Sequence, residues 1–490
     1  MSGAPTPIPA PAQESPAIPP QVQAQAAHPP PATPNPATPW YLATLLFFAY
    51  AADSLARYDH LATRSWDLGI FEQVVRAYAH GQAPIADLKG PGFNILGDHF
   101  SPILAVLAPV YRVFPSPLTL LLAQAALFAL SAVPVTRAAS RLLGVRRGVA
   151  LGVAYGLSWG MQRAVDFDFH EIAFAVPLIA FALEAVLARR WRAALLHALP
   201  LVLVKEDLGF TAATIAVLVV VRARRTSPRT SPRAVPYAIA VASFAVVAAL
   251  LTFFVLIPAF NSSGGYDYWS KMHESGAGPF DGMDTKIRTL LWILVPTSGL
   301  LALRSPLLLV ALPTLGWRFL SSEPNYWGTD YHYSAVLMPV VFLALADALT
   351  RARLSPRPWL RSYAHHLPAA VLAAALALTT TLPLSALTEA EAYRKPARTT
   401  AIEGMLDEVP DGASVEANIG PIARLTSRCQ VFWVGDTGTL VPDYIALDNA
   451  DSHIKNVQQY AVQLHPNTRW AVVGATQGWV LLRHRAATTT

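Results

Sequence analysis

Long apolar stretches separated by short connections constrain this chain more than any other feature. Hydrophobic residues make up 53% of its 490 positions and charged residues only 14%, which is typical of a protein embedded in a bilayer. The first stretch runs from Trp40 to Ala56, and further stretches follow at 117–136, 148–165, 172–188, 193–204, 208–221, 235–258, 287–303, 305–320, 334–350 and 367–387. Several are shorter than the ~20 residues that cross a ~30 Å hydrocarbon layer. We therefore predict an all-α, multi-pass membrane protein with about eleven transmembrane helices.

Arginine is concentrated in every second connection, and acids occupy the alternate ones. The arginine-rich connections lie at 137–147, 189–192, 222–233, 304 and 351–361. Because cytoplasmic connections collect Lys and Arg, this pattern predicts a cytoplasmic N-terminus and an extracytoplasmic C-terminus in a bacterial cell membrane. The net charge of +6 then reflects membrane topology, and we predict no nucleic-acid partner.

Composition divides the chain into three parts. Residues 1–39 are rich in Pro and Ala, contain no Lys or Arg, and predict a disordered cytoplasmic tail. Residues 40–388 form the predicted transmembrane domain. From 389 to 490 the long apolar runs stop and short β-rich pieces alternate with helical ones, which predicts a small extracytoplasmic α/β domain. Because Cys429 is the only cysteine, an intrachain disulfide and a multi-cysteine zinc site are excluded.

Most residues capable of acid–base or metal chemistry fall on the predicted outer side, beginning with the loop after the first helix. Acids at a membrane edge are functional candidates because charge near hydrocarbon is costly. The apolar positions between Ile70 and Tyr78 fit one face of a helix lying in the membrane interface. Asp67, just before them, either caps that helix or acts as a catalytic base or metal ligand, and Glu72 is a further candidate.

A second group follows in the same loop and at the next outer connection. Asp98 and His99 either form a loop turn or belong to the site. In the segment 166–171, alternation places acids and an imidazole on one side of an extended chain, which suits a divalent cation. We predict Asp168, His170 and Glu171 as its ligands; the alternative is a capping and solvation role.

Lys205, Glu206 and Asp207 stand between two short apolar runs. They either neutralise one another as a buried pair or present an ammonium group to a lipid phosphate at the membrane edge.

Aromatic residues crowd two further outer connections. Those near Tyr266 and Trp269 either stack on sugar rings or form an interfacial belt. His332 precedes an apolar stretch and either contacts phosphate or stays neutral in a hydrogen bond.

One motif match is better explained by packing. Residues 156–160 fit the G-x-S-x-G pattern of a hydrolase nucleophile, but that motif requires a strand, a turn and a helix, and here it lies in a predicted apolar helix. The same glycines continue a four-residue series from Gly148, which predicts a smooth face for close helix approach.

Four motifs, taken in order, resemble a bacterial family of multi-pass membrane proteins of unknown function, domain of unknown function 2079. The likeness covers about Pro39 to His484, and the family in turn resembles the GT-C glycosyltransferases. The motifs are Trp66–Gln73 (WDLGIFEQ), Gly97–Pro102 (GDHFSP), Phe167–Glu171 (FDFHE) and Lys205–Asp207 (KED).

The GT-C resemblance implies an enzyme that moves a sugar from a polyprenyl-phosphate donor to an extracytoplasmic glycan, lipid or protein acceptor. In that superfamily an acid in the first outer loop acts as base or metal-linked centre, and Asp67 occupies the matching position. The usual second acid beside it is absent, so Asp98 and Asp168 are alternative bases. A divalent cation, Mg²⁺ or Mn²⁺, is the implied cofactor.

Such a reaction is chemically consistent with the residue pattern. A carboxylate would deprotonate the acceptor hydroxyl, and cationic groups would stabilise the departing phosphate. Candidate phosphate contacts are His99, His170, Lys205 and His332. The competing interpretation is a transporter or flippase of a lipid-linked substrate, which would place coupling acids near the bilayer midplane; a third is a sensor or scaffold.

Overall fold

Helices run through the chain from the first apolar stretch to the C-terminal sheet. The computed structural model describes residues 1, 3–4, 35–63, 66–225, 233–272 and 280–485, so most of the predicted tail 1–39 lies outside the described residues. The helices are α1 (Thr38–Asp59), α2 (Asp67–Ala79), α3 (Ala108–Val113), α4 (Pro117–Leu143), α5 (Val145–Gly156), α6 (Trp159–Asp166), α7 (Ala175–Leu187), α8 (Trp191–Ala198), α9 (Leu208–Arg224), α10 (Ala234–Leu251), α11 (Ile257–Phe260), α12 (Met283–Ser298), α13 (Leu312–Leu320), α14 (Leu337–Ala352), α15 (Pro358–Thr379), α16 (Ala397–Leu406), α17 (Ile419–Leu425), α18 (Asn449–Ser452) and α19 (Val457–Leu464).

Three helical segments within the described ranges are long and apolar enough to cross a bilayer: Pro117–Leu143, Ala234–Phe260 and His332–Ala352. Some of the other predicted spans are broken into shorter pieces; 148–165, for example, is divided between α5 and α6. The first span, 40–56, lies within the unbroken 22-residue helix α1. The total of about eleven transmembrane helices therefore stays a prediction. The apolar segment 102–113, which is too short to cross a bilayer, is a 3-10 helix, Pro102–Leu107, continued by α3.

Glycines allow α5 to pack closely on α4. A Cβ atom added at Gly148 would lie 2.3 Å from Ser140 Cα, and one added at Gly152 would lie 2.1 Å from the Thr136 hydroxyl oxygen. Neither distance is compatible with a side chain unless the helices move apart. The packing interpretation of the glycine series is therefore supported by the contacts around these two helices.

From its apolar surroundings we expected the G-x-S-x-G segment to lie inside one helix. The structure shows that it does not. Helix α5 ends at Gly156 and α6 begins at Trp159, so the chain bends between them. At this bend the Ser158 hydroxyl is buried and donates a hydrogen bond to the Tyr155 carbonyl oxygen at 2.6 Å. This serine is a local backbone partner and not an exposed nucleophile.

The C-terminal part forms a mixed five-stranded sheet, in agreement with the predicted α/β composition. Its strands are β1 (Ser414–Ala417), β2 (Gln430–Trp433), β3 (Tyr444–Asp448), β4 (Arg469–Thr476) and β5 (Trp479–Arg485). They are ordered β2-β1-β3-β5-β4, with β1 parallel to β2 and β3, and β5 antiparallel to β3 and β4. The described residues from 35 to 485 pack as one compact unit, so the sheet lies directly against the helices.

Helix α2 packs against the C-terminal sheet region. Gly69 leaves no room there, because an added Cβ would lie 2.2 Å from Ile422 Cγ2. The Arg76 guanidinium donates to the carbonyl oxygens of Thr426 and Cys429, each at 2.7 Å. We expected a helix with one face in the membrane interface; instead nearly every residue of α2 is buried, because the C-terminal region covers its polar face.

Glu72 lies inside this contact and does not reach the large cavity described below. Its side chain is fully buried and accepts hydrogen bonds from the Tyr111 hydroxyl at 2.9 Å and from the Thr426 hydroxyl. Burial raises the pKa of Glu72 to about 7, although these two hydrogen bonds oppose the shift. The Glu72 carboxyl group thus links α2, α3 and the C-terminal region by hydrogen bonds, and its pKa lies near neutrality.

The glycine contact predicts a large effect of a single methyl group. We expect Gly148→Ala to destabilise the protein by about 1–3 kcal/mol, because the added Cβ meets the α4 backbone. Thermal unfolding of the purified protein in detergent measures this. Gly316→Ala in α13 is the matched control, since nothing lies within 4 Å of its added Cβ; equal melting temperatures for the two variants would contradict the packing interpretation.

Glu72 predicts a pH-dependent contact. The folded state retains a proton that the unfolded chain loses near pH 4.5, so protection of α2 should fall as the pH rises from about 4.5 to about 7. The loss is at most about 3 kcal/mol of local opening free energy. Hydrogen exchange of α2, corrected for intrinsic rates, measures it. Glu72→Gln should flatten the pH dependence, whereas Glu408→Gln, at an exposed site, should not. The same slope in all three proteins would show that Glu72 is not the titrating group.

Candidate active site

One cavity of about 740 Å³ gathers residues from segments that are far apart in the sequence. Its walls come from the start of α2, the loop after α2, the connections that precede α7 and α9, the outer part of α10, and the connection between α13 and α14. All four motifs noted in the sequence contribute to it. We call it the central cavity.

Nine of the eleven predicted site residues line the central cavity, and two, Asp168 and Glu72, do not. The nine are Asp67, Asp98, His99, His170, Glu171, Lys205, Glu206, Asp207 and His332. Asp67 is the first residue of α2 and Trp66 occupies the cap position without a side-chain cap, so the capping alternative for Asp67 is wrong.

Lys205 is paired within the cavity wall. Its ammonium lies 3.0 Å from Glu171 Oε1, and both side chains are largely buried. Burial alone would raise the pKa of Glu171, but the Lys205 charge outweighs it and lowers the pKa to about 2. The pair therefore carries one positive and one negative charge at neutral pH and fixes the connection before α9 against the one before α7.

Glu206 fixes the same connection to the loops that follow α2 and α11. Its carboxylate lies 2.8 Å from His99 Nδ1 and accepts hydrogen bonds from the Tyr266 hydroxyl at 2.9 Å and the Phe100 amide at 3.2 Å. Burial and Lys205 would lower the pKa of His99, but Glu206 and Asp98 outweigh them and raise it. His99 is thus the histidine whose surroundings favour a positive charge.

Lys89 is a site residue that the sequence analysis missed. Its ammonium lies 3.1 Å from Asp98 Oδ2, and 5.7 Å from the ring centroid of Trp66, another cavity residue. Burial alone would raise the pKa of Asp98, but the neighbouring His99 and Lys89 lower it. The sequence signal for this residue was a lysine among the acids of the predicted first outer loop.

Asp67 lies beside a pair of imidazoles. His170 Nε2 lies 3.6 Å from Asp67 Oδ2, and the ring centroids of His170 and His332 are 3.6 Å apart. Both ring nitrogens of His170 and Nδ1 of His332 are buried and make no hydrogen bond to the described residues. Burial lowers the pKa of His170, so this ring is suited to hydrogen bonding with a hydroxyl group and less suited to charge pairing with phosphate.

The three predicted metal ligands are not gathered as ion ligands. Helix α6 ends at Asp166, and Asp168 then adopts a left-handed backbone (φ 62°), so the expected extended alternation does not form. Asp168 lies outside the cavity lining, and Glu171 is held by Lys205. Among the described residues there is no group of three His, Cys, Asp or Glu side chains placed to hold a metal. The divalent cation stays a prediction.

The other end of the central cavity is aromatic and reaches the surface of the helical part. Phe253, Tyr266 and Trp269 line it together with Leu250 and Phe254, near the C-terminal end of α10. Leu250 is 43% exposed and Phe254 is 63% exposed, and only 17% of the apolar window of Ala234–Phe260 is buried. The cavity therefore connects a charged end to an apolar end beside an exposed apolar helix that is long enough to cross a bilayer.

Solved structures of ArnT from Cupriavidus metallidurans share this fold. The structure bound to undecaprenyl phosphate has a TM-score of 0.58 and 16% identity, with 91% of this chain and 98% of that chain covered. The apo structure has a TM-score of 0.50 and 14% identity with the same coverage. These likenesses support the distant GT-C resemblance of the fold. No curated protein sequence matches the chain.

The family model described as "Predicted membrane protein (DUF2079)" matches residues 57–481, which is most of the chain and includes all four motifs. The chain therefore belongs to this DUF2079 family of predicted bacterial membrane proteins.

Proposed function

We propose that this protein is a GT-C-like membrane glycosyltransferase, which transfers a sugar from a polyprenyl-phosphate donor to an extracytoplasmic acceptor. One observation carries the proposal: a single cavity joins a charged end to an aromatic end beside the lipid-facing segment Ala234–Phe260. A polyprenyl-phosphate sugar needs both ends, because its chain belongs in hydrocarbon and its phosphate at headgroup level. Undecaprenyl phosphate, bound in the ArnT structure, is a lipid of this class.

The proposed donor pose follows from the two ends. The polyprenyl chain enters beside Leu250 and Phe254, whose exposed side chains mark the lipid side of the cavity. The phosphate lies toward Lys205 and Lys89, with His99 as a third contact. Each of these cationic side chains already contacts an acid, so binding requires the phosphate to share or replace those contacts. The cost of separating the buried pairs limits binding to a strong anion.

Asp67 is the best placed base. Asp67 lines the cavity with an oxygen 3.6 Å from His170 Nε2, and it occupies the position of the catalytic acid in the GT-C resemblance, whereas Asp168 lies outside the cavity lining. In the reaction, the acceptor oxygen forms a bond to the anomeric carbon while the bond from that carbon to the phosphate oxygen breaks. Asp67 takes the hydroxyl proton, and polyprenyl phosphate leaves with the bonding electrons. His170, close to Asp67, holds the acceptor hydroxyl in line.

The proposed topology agrees with this chemistry. The predicted outer acids meet at the central cavity, while two other buried acids, Glu184 and Asp347, are bound by arginines of the predicted cytoplasmic connections. We infer a cytoplasmic N-terminus and a C-terminal domain outside the cytoplasm. The C-terminal domain, which covers α2, then lies on the side where the acceptor arrives.

The base assignment predicts loss of turnover in one variant. With labelled polyprenyl-phosphate sugars and the protein in lipid, Asp67→Asn should lower transfer by ~100-fold or more, because the acceptor hydroxyl loses its proton acceptor. Asp284→Asn, an exposed acid at the start of α12, is the matched control and should retain turnover. If no donor on a broad panel is consumed while labelled lipid crosses the bilayer of proteoliposomes, the transferase proposal is wrong and a flippase takes its place.

The phosphate contact predicts a separate binding defect. The double substitution Lys205→Met with Glu171→Met removes both charges of a buried pair, so neither is left uncompensated. We expect undecaprenyl phosphate to bind ~10-fold more weakly or worse, as measured by its shift of the melting temperature. Undecaprenol, which lacks the phosphate, should bind the variant and the parent protein alike. Unchanged affinity for the phosphate lipid in a folded variant would remove Lys205 from the site.

A further inference from the structure

Two buried acids at the arginine-rich end of the protein are already bound by arginines. Glu184 Oε1 lies 3.0 Å from Arg141 Nη1, and its second oxygen contacts Arg137 and Arg190. Asp347 Oδ2 in turn lies 2.8 Å from Arg222 and 3.2 Å from Arg351. The negative charges of Glu184 and Asp347 are therefore already neutralised, and they do little to offset the positive charge of the other arginines at this end.

A pocket nearby collects arginines that have no such partner. It encloses about 490 Å³ at the start of α15 and is lined by Arg353, Pro358, Arg361, Ser362, His365 and His366. Arg147 joins it from α5, with Nη2 at 3.4 Å from His365 Nδ1. We call this group, with Arg147, the arginine pocket. No carboxylate lines it, and within the described chain no ion pair joins its three arginines to an acid.

Helix geometry adds to the positive potential. Helices α5 and α15 both begin near the pocket, at Val145 and Pro358, and neither has an acid in its first turn. A helix N-terminus carries a partial positive charge, which nearby acids normally offset. Arginines at this end instead add to the positive potential. Burial, and then the positive charge of Arg147, lower the pKa of Arg353. Like charges from two connections are thus held together in a concave site.

The surroundings indicate where the compensating anion comes from. Leu354 is 84% exposed and Trp359 is 65% exposed, and both belong to the short connection and first turn that supply Arg353 and Arg361. Large apolar and indole side chains beside arginines are typical of the level where lipid headgroups meet hydrocarbon. On the predicted cytoplasmic side, the most abundant phosphate at this level is that of a phospholipid headgroup.

We propose that the arginine pocket binds the phosphate of an anionic phospholipid headgroup. Arginine suits this ligand, because its planar guanidinium donates two parallel hydrogen bonds to a phosphate. Ser362 supplies a hydroxyl donor on the same wall. The site is distinct from the central cavity, shares no lining residue with it, and is independent of the proposed transferase activity.

The test uses the full chain, purified in a neutral detergent and delipidated. Phosphatidylglycerol, phosphatidylcholine and inorganic phosphate are titrated separately, and the melting temperature is followed. We expect phosphatidylglycerol to stabilise the protein at concentrations ~10-fold lower than phosphatidylcholine, and the difference to shrink at high salt. The double variant Arg353→Gln with Arg361→Gln should lose this ~10-fold preference.

A second double variant distinguishes a site from general surface charge. Arg224→Gln with Arg225→Gln removes the same net charge from exposed positions at the end of α9, outside the pocket, and should keep the preference. If the pocket double variant does not fold, Arg353→Gln and Arg361→Gln are measured singly and each should weaken the preference. Equal loss in the control, no loss in the pocket variants, or saturation by inorganic phosphate alone would each overturn the proposal.

Discussion

The packing of α2 against the C-terminal region is the contact on which the central cavity depends. Helix α2 begins at Asp67 and is buried along most of its length, which holds Asp67 and Trp66 at the cavity. Its polar residues are used for this purpose: the Gln73 side-chain amide donates to the Val431 carbonyl oxygen at 2.8 Å, and Arg76 donates to two further carbonyl oxygens. Because these partners are backbone atoms of β2 and the end of α17, the sheet region positions the proposed base without entering the charged end itself.

Buried charge pairs also hold the segments around the central cavity in place. Pairs such as Lys205 with Glu171 and His99 with Glu206 each join segments from different parts of the chain, and Lys89 with Asp98 closes the loop after α2. Such pairs contribute little net stability, since desolvation offsets most of their attraction, but breaking one leaves a costly unpaired charge. They therefore specify one arrangement of the loops more than they strengthen it. The same property makes them responsive to an anionic ligand that can replace one partner.

Much of this organisation could be predicted from sequence, for reasons that differ between residues. Apolar length and composition predicted α1, α4 and α14, because burial in lipid or protein demands them. The clustering of Asp67, His170 and Lys205 was predicted from their common side of the membrane. By contrast, the prediction of an extended, alternating segment at 166–171 was wrong, because Asp168 adopts a left-handed backbone. That conformation depends on distant residues such as Gln124, whose side-chain amide donates to the Asp168 carbonyl oxygen at 2.6 Å. The sequence pattern also did not predict the burial of α2. The spacing of apolar residues shows which helix face is apolar, but not that a domain distant in the sequence covers the polar face.

The contact between Glu72 and Thr426 joins residues 354 positions apart, and this separation has a consequence for biosynthesis. Helix α2 is made early, but the residues that enclose it belong to the last hundred of the chain. Domains generally fold as they are synthesised, from the N-terminus onward. The helical part can therefore insert while its acid-lined cavity still lacks a fixed wall, and the site becomes complete only after the C-terminal sheet has docked on α2. A chain truncated during synthesis would leave an inserted but inactive protein in the membrane.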